Sequence, residues 1–170
     1  MKRAALLSAG FVIALMYGCA GPSLSVDPSR TLVPALEASS MKAFGRAVQA
    51  EAGSPALERA RIDYLLERVS KSPYNFFRNG GRYTGGRALA HLKWKYFRNL
   101  GRVKTAEDFI ERVATRSKMS GQAYEVEYRD RKRYPLRSVL LMELALLDEA
   151  VQKEWKRIQE EVEKRESAAS

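Results

Sequence analysis

Ser138-Val139-Leu140-Leu141-Met142-Glu143-Leu144-Ala145-Leu146-Leu147-Asp148-Glu149-Ala150-Val151 is the run that sets the fold class. Val139, Leu140, Leu141, Leu144, Leu147, Val151 and Trp155 recur at spacings of three and four. From Ser138 onward this predicts a long helix with a broad apolar stripe. After Trp155 the chain turns rich in Lys and Glu, and Glu160 and Lys164 stand in the favourable order for an i,i+4 pair. That end is expected to project as a solvated helix and to fray over Ser167 to Ser170.

Upstream, a short helix is expected from about Met41 to Ala52, ended by Gly53. Ser54-Pro55 opens a second, with Ser as cap and Pro at its first position. Leu57, Ile62, Leu65, Leu66 and Val69 give it an apolar face, and Pro73 stops it near Ser70. Residues 73–86 hold Gly80, Gly81, Gly85 and Gly86 and read as a turn-rich loop around Phe76 and Phe77. A third helix runs from about Thr84 or Arg87 to Asn99. Thr105 caps a fourth, with Asp108 completing the box and Phe109, Ile110, Val113 and Ala114 on one face. Tyr124, Val126 and Tyr128 alternate with Glu125, Glu127 and Arg129, which is strand periodicity, and Tyr134-Pro135-Leu136 is placed to pair back. The expectation is therefore mainly α: one small helical domain over 41–170, with one short β-hairpin and a long C-terminal helix.

The amino-terminal segment speaks of location. Lys2 and Arg3 precede an apolar run from Ala4 to Tyr17, broken by Ser8 and Gly10, and Gly18-Cys19 follows. This order predicts a signal peptide over residues 1–18, too short to span a bilayer, which needs about 20 apolar residues. It resembles a bacterial lipoprotein signal: Gly18 and Cys19 match its box, while Met16 and Tyr17 replace its usual Leu and small residue. The resemblance implies lipidation of Cys19, and several acyl chains at about 0.8 kcal/mol per buried methylene make a lasting anchor. Ala20 after the cysteine implies sorting to the outer membrane, facing the periplasm. Cys19 is the single cysteine, so an exported domain has no internal disulfide and rests on its core. Residues 19–40, rich in Ser, Pro and Ala, are expected to be the lipidated cysteine and a flexible tether.

The formal charge is +10. For an exported protein this points to lipid headgroups, lipopolysaccharide phosphates or peptidoglycan carboxylates as acidic neighbours, and not to nucleic acid. Three patches carry the chemistry. The first is Ser72 with Phe77-Arg78-Asn79-Gly80 and Tyr83; the second is the helix Ala88 to Lys95; the third is Ser117 to Tyr124. Ala88, His91, Leu92 and Lys95 fall on one helical face, bringing His91 and Lys95 to the edge of the core. Arg78 and Asn79 in the glycine loop, and Ser120-Gly121 on the other side, are placed to close over that edge. Arg, Lys and His beside glycine-loop amides suit a carboxylate or phosphate.

These patches also resemble a small uncharacterised family of exported bacterial proteins, a domain of unknown function. Its Phe-aliphatic-Arg-Asn-Gly loop matches Phe76, Arg78, Asn79, Gly80 and Tyr83. Its Ala-x-x-His-Leu-x-x-Lys helix matches Ala88, His91, Leu92 and Lys95. Thr105, Ala106, Phe109 and Ile110, then Ser117, Ser120, Gly121 and Tyr124, match the remaining two motifs. The similarity covers about residues 58–147 and implies a domain-sized unit without a reaction.

Other readings stand beside the anion site. Asn79-Gly80 is turn chemistry. Arg78 is able to tie its loop to a carboxylate such as Glu67, and Lys95 to lay its stem over apolar neighbours. One His and one Cys fall short of the usual zinc ligand count, no cofactor motif is present, and no nucleophile elbow accompanies the serines. The expectation is an outer-membrane-anchored, non-enzymatic module that binds an anionic envelope component or a periplasmic protein through Arg78, Asn79, Gly80, His91, Lys95, Ser120 and Gly121. The alternative is a small cell-wall hydrolase or transferase using His91, Lys95 and Arg78.

Overall fold

The computed structural model describes residues 31–34 and 36–168. The signal peptide of 1–18, Cys19 and the tether as far as residue 30 lie outside the described residues. None of the described helices is long and apolar enough to cross a membrane.

The helices are α1 (Lys42–Gln49), α2 (Pro55–Lys71), α3 (Gly85–Phe97), α4 (Ala106–Phe109) and α5 (Leu136–Ala168); α4 runs on into a π-helical turn, Ile110–Ala114. Ser54 caps α2 by accepting the Leu57 N–H, and Pro55 takes the first position, whose N–H would have no partner. Thr105 caps α4 through the Asp108 N–H, while the Asp108 carboxylate accepts from Lys104 N. α5 buries Val139, Leu140, Leu144, Leu147 and Val151 against α1 and α2. Trp155 closes that stripe by donating Nε1–H to the Val48 carbonyl (2.7 Å), and beyond it the helix is exposed.

The single hairpin expected over 124–136 is a correction: the strands form one four-stranded antiparallel sheet. They are β1 (Asn75–Arg78), β2 (Gly81–Tyr83), β3 (Glu125–Glu127) and β4 (Arg133–Pro135), in the order β2-β1-β3-β4. The glycines of 73–86 made that stretch read as a loop. Asn79 and Gly80 have φ of 49° and 76°, the two positive values that a two-residue hairpin turn requires, so they fold Phe76 and Phe77 into a strand. A lone hairpin is marginal, and β1 is completed by β3 on its other edge.

Register gives the sheet its two faces. Phe76 stands opposite Tyr83 on one side and Val126 on the other, and Val126 stands opposite Tyr134. This inner face packs on the core and under α3. Phe77 points the other way, beneath the Arg133 guanidinium at 3.6 Å from its ring centre. α3 sits close to α2 because its first residue is glycine: a Cβ at Gly85 would collide with the Val69 carbonyl oxygen.

The segment assigned to the tether packs on the domain from Thr31 onward, with Leu32 and Val33 buried and Ala38–Ser40 forming a 3-10 turn. The cause lies on α5 and α2: Glu143 of α5, fully buried, accepts the Leu32 N–H, and Arg68 Nη1 of α2 donates to the Leu36 carbonyl. Among the described residues, packing on the helical domain thus reaches back to Thr31, within the 19–40 segment.

Candidate functional site

The site lies where the end of the β1–β3 pair meets α3. One step past the Phe77–Glu125 pair, the antiparallel register sets Arg78 opposite Tyr124, on the inner face with Phe76 and Val126. α3 crosses this face and inserts His91 between them. Arg78 Nη1 lies 3.3 Å from His91 Nδ1, and His91 Nε2 lies 3.1 Å from the Tyr124 hydroxyl. Guanidinium only donates, so His91 Nδ1 accepts and Nε2 carries the proton, donating to Tyr124. The ring is therefore neutral. Its pKa is pushed down to about 4, first by burial and then by the nearby charges of Arg78 and Lys95.

Lys95, one turn further along α3, is buried. Its ammonium donates to the carbonyls of Val113 and Arg116 and to the Tyr124 hydroxyl (2.9 Å to Arg116, 3.2 Å to Tyr124). The two carbonyls belong to the end of the π turn and the residues just after it. A helix leaves its last carbonyls without partners, and a cation there also meets the negative end of the helix dipole. Burial, and then Lys118 and Arg78, push the Lys95 pKa down to about 8, which leaves it charged at neutral pH. Tyr124 receives two hydrogen bonds, from His91 and Lys95, so its own hydroxyl proton is free to be donated elsewhere. Burial raises its pKa.

The remaining expected site residues form the frame. Asn79 and Gly80 make the β1–β2 turn, and Ser120 Oγ donates to Asn79 Oδ1 at 2.6 Å, clasping the hairpin to the 117–124 loop. Gly121, with φ of 72°, lets that loop double back, its N–H donating to the Ser117 carbonyl. Arg78, His91 and Lys95 are thus brought together, whereas Asn79, Gly80, Ser120 and Gly121 stand outside the cavities that these three line. Arg78 is not paired with Glu67, whose carboxylate accepts the Lys42 and Ala43 N–H groups and pairs with Lys71.

Two openings meet at Arg78, His91 and Tyr124. One is an apolar cavity of about 170 Å³ walled by Phe76, Ala88, Leu92 and Leu136. The other is a polar groove of about 630 Å³ bordered by Lys95, Arg98, Arg102, Lys118 and Trp94. No Asp or Glu lines either opening. The Arg78 Nε is buried and meets no acceptor among the described residues. Arg98 lies 5.0 Å over the half-exposed Trp94 ring. Sequence reasoning passed over Arg102 and did not join Arg98 to the cationic set. The signal was present: His91, Lys95, Arg98 and Arg102 succeed one another at four, three and four residues along α3 and its extension. Among the described residues no group of three or more His, Cys, Asp or Glu side chains converges as around a metal ion.

The model of the family of unknown function DUF5329 matches residues 56–148. The chain belongs to the DUF5329 family. The match takes in every residue of the two openings, from Phe76 to Leu136. The DUF5329 domain here is also similar to the uncharacterized protein YfeK of Salmonella typhimurium, 37% identical over 70 residues. That alignment covers 41% of this chain and 58% of the relative. No solved structure matches.

Proposed function

We propose that this DUF5329 protein is an outer-membrane lipoprotein, anchored through Cys19 and facing the periplasm, that binds an anionic envelope component without chemical turnover. One observation carries the binding reading: the groove is bordered by Arg78, Lys95, Arg98, Arg102 and Lys118 with no carboxylate among its lining residues. Five cations gathered without counter-charge repel one another, and an anion removes that repulsion. The signal-like order of Lys2 to Cys19 supports export and lipidation. Binding is favoured over hydrolase or transferase chemistry because both His91 nitrogens and the Lys95 ammonium are already engaged. A general base needs a free lone pair within reach of its proton.

Thermal-shift titration with peptidoglycan fragments and phosphate-bearing headgroup analogues tests the site. The wild type should be stabilised by one of these anions, and Arg78→Gln should lose the shift while remaining folded. An unchanged melting temperature with all of them would remove the binding reading. Loss of labelled-palmitate incorporation in Cys19→Ser tests the anchor separately.

A further inference from the structure

The cationic groove does not stand alone. It shares a wall with the apolar cavity, formed by Arg78, His91 and Tyr124, and two of these three, Arg78 and Tyr124, hold polar hydrogens in reserve. Arg78 keeps a buried Nε–H without an acceptor, and Tyr124, filled by two donors on its lone pairs, keeps its own O–H proton. An anion seated at this wall meets the Arg78 guanidinium and the Tyr124 hydroxyl and has the apolar cavity directly beside it.

We propose that the ligand is a small amphiphilic anion: a phosphate or carboxylate carrying one compact apolar group, a single aromatic ring or a branch of four to six carbons. The inference rests on the anion-binding reading above and names its ligand class. The charged end lies against Arg78 and Tyr124 and faces the lysines and arginines of the groove; the apolar end enters between Phe76, Ala88, Leu92 and Leu136. Size limits the apolar end. The cavity of about 170 Å³ compares with an engineered apolar cavity of roughly 150 Å³ that takes up benzene, so it houses one ring and not an acyl chain. His91, neutral and edge-on to Tyr124 with ring centres 5.8 Å apart, divides the two compartments and adds no charge to the apolar one.

Isothermal titration of the full chain with inorganic phosphate, phenyl phosphate and phenol, and with methyl, butyl and octyl phosphate, tests this. Phenyl phosphate should bind about tenfold to a hundredfold tighter than inorganic phosphate, the gain expected for burying one ring. Along the alkyl series affinity should climb to butyl and then level off, because longer chains leave the cavity. Ala88→Leu, which fills the cavity from α3, should erase the phenyl increment and leave the affinity for inorganic phosphate within about twofold. The alkyl series on the wild type decides the matter even if that variant misfolds. Equal affinity for inorganic and phenyl phosphate, or steady gain through octyl, overturns the amphiphile inference and leaves the anion groove standing. No binding of any phosphate, and none of benzoate, overturns both.

Discussion

Two polar clusters touch the same core and are balanced in opposite ways. Around Glu143 on α5, Arg68 donates Nε–H to Oε2 at 2.7 Å and Nη2 to Oε1 at 3.2 Å, Leu32 donates its backbone N–H, and Tyr64 stands at 3.5 Å. Arg68 spends its remaining nitrogen on the Leu36 carbonyl. One positive and one negative charge are fully buried and matched, and burial together with Glu143 raises the Tyr64 pKa well beyond that of a free phenol. At the wall between β1 and α3, the cluster of Arg78, His91 and Lys95 has cations, a neutral imidazole and carbonyls, and no carboxylate. Buried charges that are mutually satisfied close a fold. Charges left in excess beside an opening are available to a ligand.

The sharpest way to break this contrast is to unbalance the first cluster. Glu143→Gln leaves the Arg68 guanidinium buried without counter-charge and should cost about 3–5 kcal/mol in urea denaturation. Arg68→Met combined with Glu143→Leu should cost much less than that single change, because no lone charge then stays buried. A loss under about 1 kcal/mol for Glu143→Gln would mean that the pair does not hold the 31–36 segment to α5. Within the second cluster, Lys95 behaves like a member of the first. Lys95→Met frees the Val113 and Arg116 carbonyls and should cost about 2–3 kcal/mol. A near-neutral result would make Lys95 a groove cation and not a brace of the π turn.

The same contrast explains what was legible beforehand. The helices follow from periodicity and caps: Ser54-Pro55, Thr105 and the α5 stripe each act over a few neighbouring residues, and each element appears within a few residues of its expected span. The β1–β2 hairpin escaped because its glycines signal flexibility, while its strand character comes from pairing with Val126, fifty residues away. The packing of Leu32 and Val33 escaped for a similar reason. Leu32 and Val33 sit in a Pro- and Ser-rich stretch with no period, and the Leu32 N–H finds its acceptor on Glu143, far along the chain. Of the expected site residues, Arg78, His91 and Lys95 converge because α3 periodicity and β1 register are both local. Tyr124 belongs to the site because it stands opposite Arg78, a long-range fact of sheet order. Family membership covers this whole unit and names no reaction for it.

Acidity separates the clusters next. His91 is the single histidine, and its folded pKa of about 4 lies below the ordinary 6.5. Between those values the unfolded chain takes up the proton and the native ring does not, so stability rises with pH across that window and falls on acidification. From pH 6.5 to pH 5 the wild type should lose about 1 kcal/mol, the ring being only partly buried and solvent screening reducing the full linkage value. His91→Gln should flatten that slope, read from urea midpoints at the two pH values. A slope shared by both proteins would place the acid sensitivity in other groups.

The smallest expected change is the most telling for the groove. Arg102 lines it, and its guanidinium pairs with no carboxylate among the described residues; Arg98 at least lies over Trp94. Removing a cation from an uncompensated set takes away repulsion and little else, so Arg102→Ser should shift stability by less than about 0.5 kcal/mol, with a slight gain at low salt. The gain should vanish as added salt shortens the Debye length to well under the groove's width. A loss above about 1.5 kcal/mol would mean that Arg102 is held by the fold as Arg68 is, and the groove would then be a second structural cluster, leaving the 78–124 wall alone as the place for an anion.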